Sequence, residues 1–321
     1  MRYRLAEMAD LPTCRELLNP GFRTTASVRR NVLGVWEKLI ANNAMNMTVI
    51  EDLTRPHPDC IEAFGSSFFA TEDFITEFCA APKPYLAAII YERILTGRSP
   101  LLSAPQIISE NSSRGLHLVV PHFGLRNPDL SNERTLRALQ AASSAFYFFH
   151  AGYRINSILN EVYGGQHARY MEAGGFRLLS NFEDRLTPEI VGVPAKHQPY
   201  LFMLKKDWIA PAAVNPLWFL FHALPPQMHF SPAEQRVLVH ALFNEPDVEI
   251  AENLSVSLDA VKKAWRNIYN RVALAAPYLI ENTERLSSTG RGSEKRRYLL
   301  EYLRTHPEEL RPFSKSAQGS R

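Results

Sequence analysis

Residues 116 to 161 read LHLVVPHFGLRNPDLSNERTLRALQAASSAFYFFHAGYRINSILNE. Leu116 to Val120 is a short, uninterrupted apolar run of the kind that forms a buried strand, and Pro121 is expected to end it. A long segment from about Asn132 to His150 carries helix-forming residues, and Ile155 to Glu161 is a second strand. Strand, long helix, strand is the unit from which a sheet with parallel neighbours is built. Outward from it the alternation continues. Tyr3 to Ala6, Met47 to Asp52, Ile61 to Ala70, Arg177 to Asn181 and Tyr200 to Lys205 read as strands. Asp10-Leu11-Pro12 opens a helix, and Val28, Val32, Val35, Trp36 and Leu39 form one face of another over Val28 to Ala41. Asp73 to Cys79 and Pro84 to Thr96 read as further helices, and a short one lies around His167 to Ala173. The fold class expected is α+β, a mixed sheet with flanking helices, followed by an all-α region.

With 321 residues and 45% apolar side chains, the chain can bury two cores. The divisions expected are 1–207 for the α+β domain, 208–229 for a proline-rich and aromatic linker, 230–285 for a helical domain, and 286–321 for a basic helix and a disordered tail. Net charge is +3, so no global charge argues for a polyanion partner. Cys14, Cys60 and Cys79 are widely spaced, which suits neither a disulfide framework nor a zinc site. No segment has the apolar length of a membrane span, and the expected setting is the cytoplasm. His117, His122, His150 and His167 lack metal-ligand spacing, so no metal is expected. There is no Gly-x-Ser-x-Gly, and Gly65-Ser66-Ser67 reads as close strand packing. Phe146 to Phe149 reads as core, or as the wall of an apolar pocket.

The order of these elements resembles the GNAT acyltransferases. Arg4-Leu5-Ala6-Glu7-Met8-Ala9-Asp10 before a helix is similar to that family's opening. Val119-Val120-Pro121, a loop and a long helix stand where the family cradles acyl-CoA pyrophosphate, and Gly175-Phe176-Arg177 is similar to its closing element. The resemblance implies an acyl-CoA site, for which Val120, Arg126 and Ser131 are the candidate residues. The family's loop, Gln/Arg-x-x-Gly-x-Gly/Ala, needs glycines to bring backbone N–H groups to the phosphates. Here Arg126-Asn127-Pro128-Asp129-Leu130-Ser131 lacks them, Pro128 has no N–H, and Asp129 adds negative charge. Tyr170 falls one position early for the family's tyrosine acid. No catalytic residue is assigned, no cofactor is expected, and acyl-CoA is expected to bind feebly if at all. The domain is read as sensing a small molecule or mediating dimerisation.

Residues 230 to 272 read FSPAEQRVLVHALFNEPDVEIAENLSVSLDAVKKAWRNIYNRV. Ser231-Pro232 starts one helix, Asp247 a second and Ser257 a third. Ser231-Pro232-Ala233-Glu234, Glu249-Ile250-Ala251, Leu254 to Ser257, Ala260-Val261-Lys262 and Ile268-Tyr269 together resemble the LuxR-type helix-turn-helix domain. That resemblance implies double-stranded DNA as partner and homodimerisation, with Ser257, Ala260, Lys262, Lys263, Arg266 and Asn267 at the DNA. Beyond it, Arg291 to Leu310 reads as an amphipathic helix. Its Lys295, Arg296 and Arg297 would touch the DNA backbone or pack back on the domain, joined by a Ser/Gly-rich stretch from Ser287 to Gly292. The expectation is a sequence-specific transcriptional regulator with a GNAT-like sensory domain. The alternative is a GNAT-family N-acyltransferase using acyl-CoA with a helical accessory domain.

Overall fold

The computed structural model describes residues 1–182, 190–210, 215–281 and 291–314. The chain divides into two compact units: residues 1–107, 115–150 and 155–221 form one, and 108–114, 151–154 and 222–321 the other. The Ser/Gly-rich stretch up to residue 290 and the tail from residue 315 lie outside the described residues.

The first unit is built on a seven-stranded mixed sheet. Strand β1 (Arg2–Leu5) is followed by helices α1 (Leu11–Glu16) and α2 (Ala26–Ala41), then by β2 (Asn46–Glu51) and β3 (Ile61–Ala70). Helices α3 (Glu72–Ala80), α4 (Leu86–Leu95) and α5 (Ala104–Ser112) separate β3 from β4 (Leu116–Leu125). Then come α6 (Glu133–His150), β5 (Ile155–Tyr163), α7 (Gly165–Ala173), β6 (Arg177–Ser180) and β7 (Pro199–Lys205). Neighbours run β1-β2-β3-β4-β5-β7-β6, and every pairing is antiparallel except β4 with β5. A parallel pair needs a crossover, and α6 supplies it. The mixed sheet with flanking helices is therefore present.

Apolar periodicity settles which face each helix buries. Val28, Val32, Val35, Trp36 and Leu39 of α2 enter a core with Phe64, Val119, Leu159, Leu201 and Met203 of the sheet. Helix α4, apolar almost all round, buries Leu86, Ala87, Ala88, Ile90 and Tyr91, as a helix covered on several sides must. Trp36 and Tyr91 are both fully buried, and the indole Nε1–H donates to the Tyr91 hydroxyl at 2.9 Å, so neither polar atom is orphaned. Helix α6 packs on β1, β2 and β3. At the sheet edge the Arg4 guanidinium bridges Asp10 at 2.6 Å and Glu51 at 2.7 Å, tying β1, the turn before α1, and β2.

Pro121 does not end β4, contrary to the expectation. The strand runs on to Leu125, and the irregularity falls in the pairing instead: Ser66 faces His122 but Phe68 faces Val119. That places one extra residue on β4, a bulge at Val120–Pro121. Proline is tolerated there because a bulged residue has no ladder hydrogen bond to donate. The bulge also flips the alternation, so that Val119 before it and His122 and Gly124 after it all face the α2 side.

In the second unit, α8 (Pro232–Leu242), α9 (Asp247–Asn253) and α10 (Leu258–Ala275) follow one another, with α11 (Tyr278–Glu281) and α12 (Arg291–Thr305) after them. Ser231 and Glu234 form a reciprocal capping box, and Ser257 caps α10 by accepting from Ala260 N at 3.2 Å. Val237, Leu238, Ile250, Val261, Trp265, Ile268, Val272, Leu299 and Leu303 are buried. Buried Glu309 accepts from the N–H groups of Gln227 and Met228, at 2.8 and 3.0 Å, fixing the segment before α8.

Gly124 tests the sheet geometry past the bulge. A Cβ there would overlap the Leu17 carbonyl and the Phe64 ring. Gly124→Ala is expected to cost about 1–3 kcal/mol, read as a lowered urea midpoint.

Candidate functional site

The bulge parts two strands. Parallel pairing of β4 with β5 reaches Val120↔Asn160 and stops, while β4 continues to Leu125 and β5 to Tyr163 on their other partners. Past that point the two strands face each other without a shared register. Each still has backbone N–H and C=O groups directed into the opening, since a strand offers such groups to both sides.

The side chains at this opening come from β5 and β4 together. Odd-numbered residues of β5 face the α2 side: Leu159 enters the core there, and Glu161 and Tyr163 follow at the same phase. Glu161 is 5% exposed and accepts three hydrogen bonds, from Tyr85 N at 2.7 Å, Leu86 N at 3.1 Å and the Tyr163 hydroxyl at 3.0 Å. The two backbone donors begin α4, so the carboxylate lies at the positive end of that helix. Tyr85 holds the left-handed conformation there, φ 66°, and its ring stacks on that of Tyr163 with centroids 6.5 Å apart. Burial is the largest influence on Glu161 and pushes its carboxyl up to about 7, against the downward pull of its three donors. Tyr163 is raised well above the ordinary tyrosine range, first by burial and then by the neighbouring carboxylate.

His122 stands on the β4 side of the opening. Its ring lies among Phe22, Trp36, Phe64 and Tyr91, with centroids 4.8 to 6.5 Å away. Burial alone lowers its pKa to about 3, so it is a neutral imidazole at physiological pH. Its Nε2 has no hydrogen-bond partner among the described residues. The α2 side of the sheet thus carries, on β5, a buried carboxyl that titrates near neutrality and, on β4, a neutral, desolvated imidazole. A carboxyl of that pKa can take a proton near pH 7.

The expected acyl-CoA residues do not form a phosphate cradle. Val120 sits at the bulge. The Arg126 guanidinium donates to the carbonyls of Ile61 at 2.8 Å and Pro58 at 3.3 Å. Ser131 spends both its N–H and its hydroxyl on Asp129, at 2.9 and 2.8 Å. The start of α6 is capped from within the chain, and the residues present do not fit a pyrophosphate. Tyr170 is half exposed and accepts from Gln166 Nε2 on its own helix.

Of the expected DNA contacts, Ala260, Lys262, Lys263, Arg266 and Asn267 share the exposed face of α10, with Ser257 as its cap. Arg296 is withdrawn from that set. Its guanidinium binds Asp247 at 2.7 Å and the Glu245 carbonyl at 3.3 Å, and lies 4.4 Å over the Trp265 ring. Arg297 is exposed and covers the ring of Tyr298 at 4.9 Å, while Lys295 is half-buried. Among the described residues no group of His, Cys, Asp and Glu is placed to hold a metal, and no helix is long and apolar enough to cross a membrane.

Glu161, Tyr163, Tyr85 and His122 were not legible as a motif. One local signal existed: Glu161 continues the inward phase of Ser157 and Leu159, and a charged residue at a buried strand position is unusual.

No family model matches the chain, and no curated protein matches it. Solved structures do. A point mutant of the spermidine N-acetyltransferase SpeG from Vibrio cholerae matches at 11% identity over 66% of this chain and 99% of its own, TM-score 0.36. The Arabidopsis thaliana acetyltransferase NAA60, solved with a bisubstrate analogue, matches at 12% identity over 63% of this chain and 96% of its own, TM-score 0.35. The NatC complex bound to Gag peptide and CoA matches at 11% identity over 64% and 99%, TM-score 0.33. These are acetyltransferases and not transcription regulators, so the expectation of a sequence-specific DNA-binding regulator is corrected and withdrawn. Likeness at this level bears on no residue of the site, which rests on the geometry above.

The Glu161 environment has a pH signature. Its carboxyl is raised from an ordinary 4.5 to about 7. Between those values the unfolded chain has lost the proton and the folded chain keeps it. This group's stabilising contribution is therefore full below about pH 4.5 and is lost as pH rises towards 7. Glu161→Gln should flatten that part of a stability-versus-pH curve measured by urea unfolding.

Proposed function

We propose that the first unit is an N-acyltransferase domain acting at the opening between β4 and β5. The observation that carries this reading is the position of Glu161: a buried carboxyl with a pKa near 7, paired with Tyr163, where two parallel strands part. The edges of β4 and β5 that share no register past Val120 and Asn160 suit an extended, amide-bearing acyl donor, which can satisfy N–H and C=O groups as a strand would.

The chemistry asked of the chain is modest. An amine nitrogen attacks the carbonyl carbon of an acyl thioester, the N–C bond forms, and the C–S bond breaks. The amine proton passes to the Glu161 carboxylate, directly or through the Tyr163 hydroxyl, and the departing thiolate takes a proton from solvent. A base with a pKa near 7 is matched to this task, being largely ionised just above neutrality and still basic enough to accept a proton. His122, neutral and held among aromatic rings, gives the β4 wall a polar atom without a charge. The residues at the start of α6 contribute no grip on a donor's phosphates.

The test is mass spectrometry of products formed from an acyl thioester and a panel of primary amines. An acylated amine is expected with the native chain. Glu161→Gln should lower kcat by about 10²-fold or more, with unchanged far-ultraviolet circular dichroism. Absence of any acylated amine across the panel, or full activity in the variant, would overturn this reading.

A further inference from the structure

We infer that the acyl donor at this site is recognised by its pantetheine thioester arm and that the nucleotide portion of CoA goes unread. The inference rests on the acyltransferase reading above and narrows its substrate class to acyl-pantetheine thioesters, whatever the group at their far end.

The loop between β4 and α6 decides this. A helix start binds phosphate when its first N–H groups are unclaimed and free to converge on an anion. Here three side chains claim N–H groups, two in the loop before α6 and one in its first turn. Asn127 Oδ1 accepts from Asp129 N at 3.0 Å, and Asp129 Oδ1 accepts from Ser131 N at 2.9 Å. Asn132 Oδ1 accepts from Arg134 N at 2.9 Å and more distantly from Thr135 N at 3.4 Å. Asn132 N and Leu136 N reach the Asp129 and Asn132 carbonyls, both at 3.1 Å, and Pro128 has no N–H to give.

The cations nearby are also committed. Arg126 is spent on the Ile61 and Pro58 carbonyls. Arg134 pairs with Asp52 at 3.3 Å and Glu62 at 3.5 Å, and Arg137 with Glu133 at 2.6 Å. Asp129 remains ionised, held below the usual carboxylate range by the Ser131 N–H and then by its hydroxyl. A pyrophosphate brought here would break caps already made and meet a carboxylate. The acyl end of the donor is unaffected, because the opening at Glu161 and Tyr163 is built from β4 and β5 and not from this loop.

The experiment compares acetyl-CoA with S-acetyl-pantetheine on the full chain, and CoA with pantetheine by calorimetry. Values of kcat/KM within about threefold, and similar dissociation constants, are expected. A preference of about thirtyfold or more for the nucleotide-bearing donor overturns the inference while leaving the acyltransferase reading standing. If neither donor is turned over but CoA and pantetheine bind alike, recognition is as inferred and the acyltransferase reading fails; if neither binds, both fail. The double substitution Pro128→Gly with Asp129→Ala separates the cause. It should strengthen CoA binding by about fivefold or more and leave pantetheine unchanged. No gain for CoA would show that the capped loop is not what excludes the nucleotide, and would overturn the inference.

Discussion

One extra residue in β4 governs this unit. A parallel pair of strands closes its ladder as long as both keep the same pleat, and the bulge at Val120–Pro121 breaks that agreement. Three consequences follow from it. The strands part after Val120 and Asn160. The alternation of β4 inverts, so that His122 joins the aromatic core beside Trp36 and Tyr91. The strand then passes so close to the Leu17 carbonyl and the Phe64 ring that a side chain at position 124 would overlap them.

Opening a sheet exposes polar backbone and invites side chains to fill the gap. The segment between β3 and β4 does so with the start of α4, whose first N–H groups reach Glu161. Desolvation of the carboxylate and these donors pull in opposite directions, and desolvation prevails. A carboxyl held in that balance is sensitive to small rearrangements of its donors, a property suited to a group that must gain and lose a proton. The cost is local stability at neutral pH.

The two ends of the opening are chemically unlike. Towards the strands there is a titratable carboxyl, a neutral imidazole and strand edges that share no register past Val120 and Asn160. Towards α6 there is a loop whose donors and guanidinium groups are already satisfied by Asn127, Asp129, Asn132, Asp52, Glu62 and Glu133. Self-capping by Asn and Asp side chains stabilises a helix start in the absence of ligand, and by the same contacts it leaves less for an anion to gain.

Much of the fold could be read from one dimension. Apolar phase placed α2, β4, α6 and β5, because a face that must be buried repeats at the period of its own element. The helix starts at Ser231 and Ser257 followed from capping chemistry, which is local. The composition of the 126–131 loop already argued against a phosphate cradle, since missing glycines and a proline act on the backbone itself. Tertiary structure decided the rest. Pro121 reads as a strand end in sequence, and only pairing with β3 shows a bulge through which the strand continues. Glu161 meets Tyr85 and Leu86 across 75 or more positions, so its role depends on contacts no local pattern encodes. Arg296 looked like one of three equivalent cations until Asp247 and Trp265 were seen to hold it. A residue's type and phase are fixed by the chain alone, but its partners, and hence its charge state and chemistry, are fixed by what the fold brings against it.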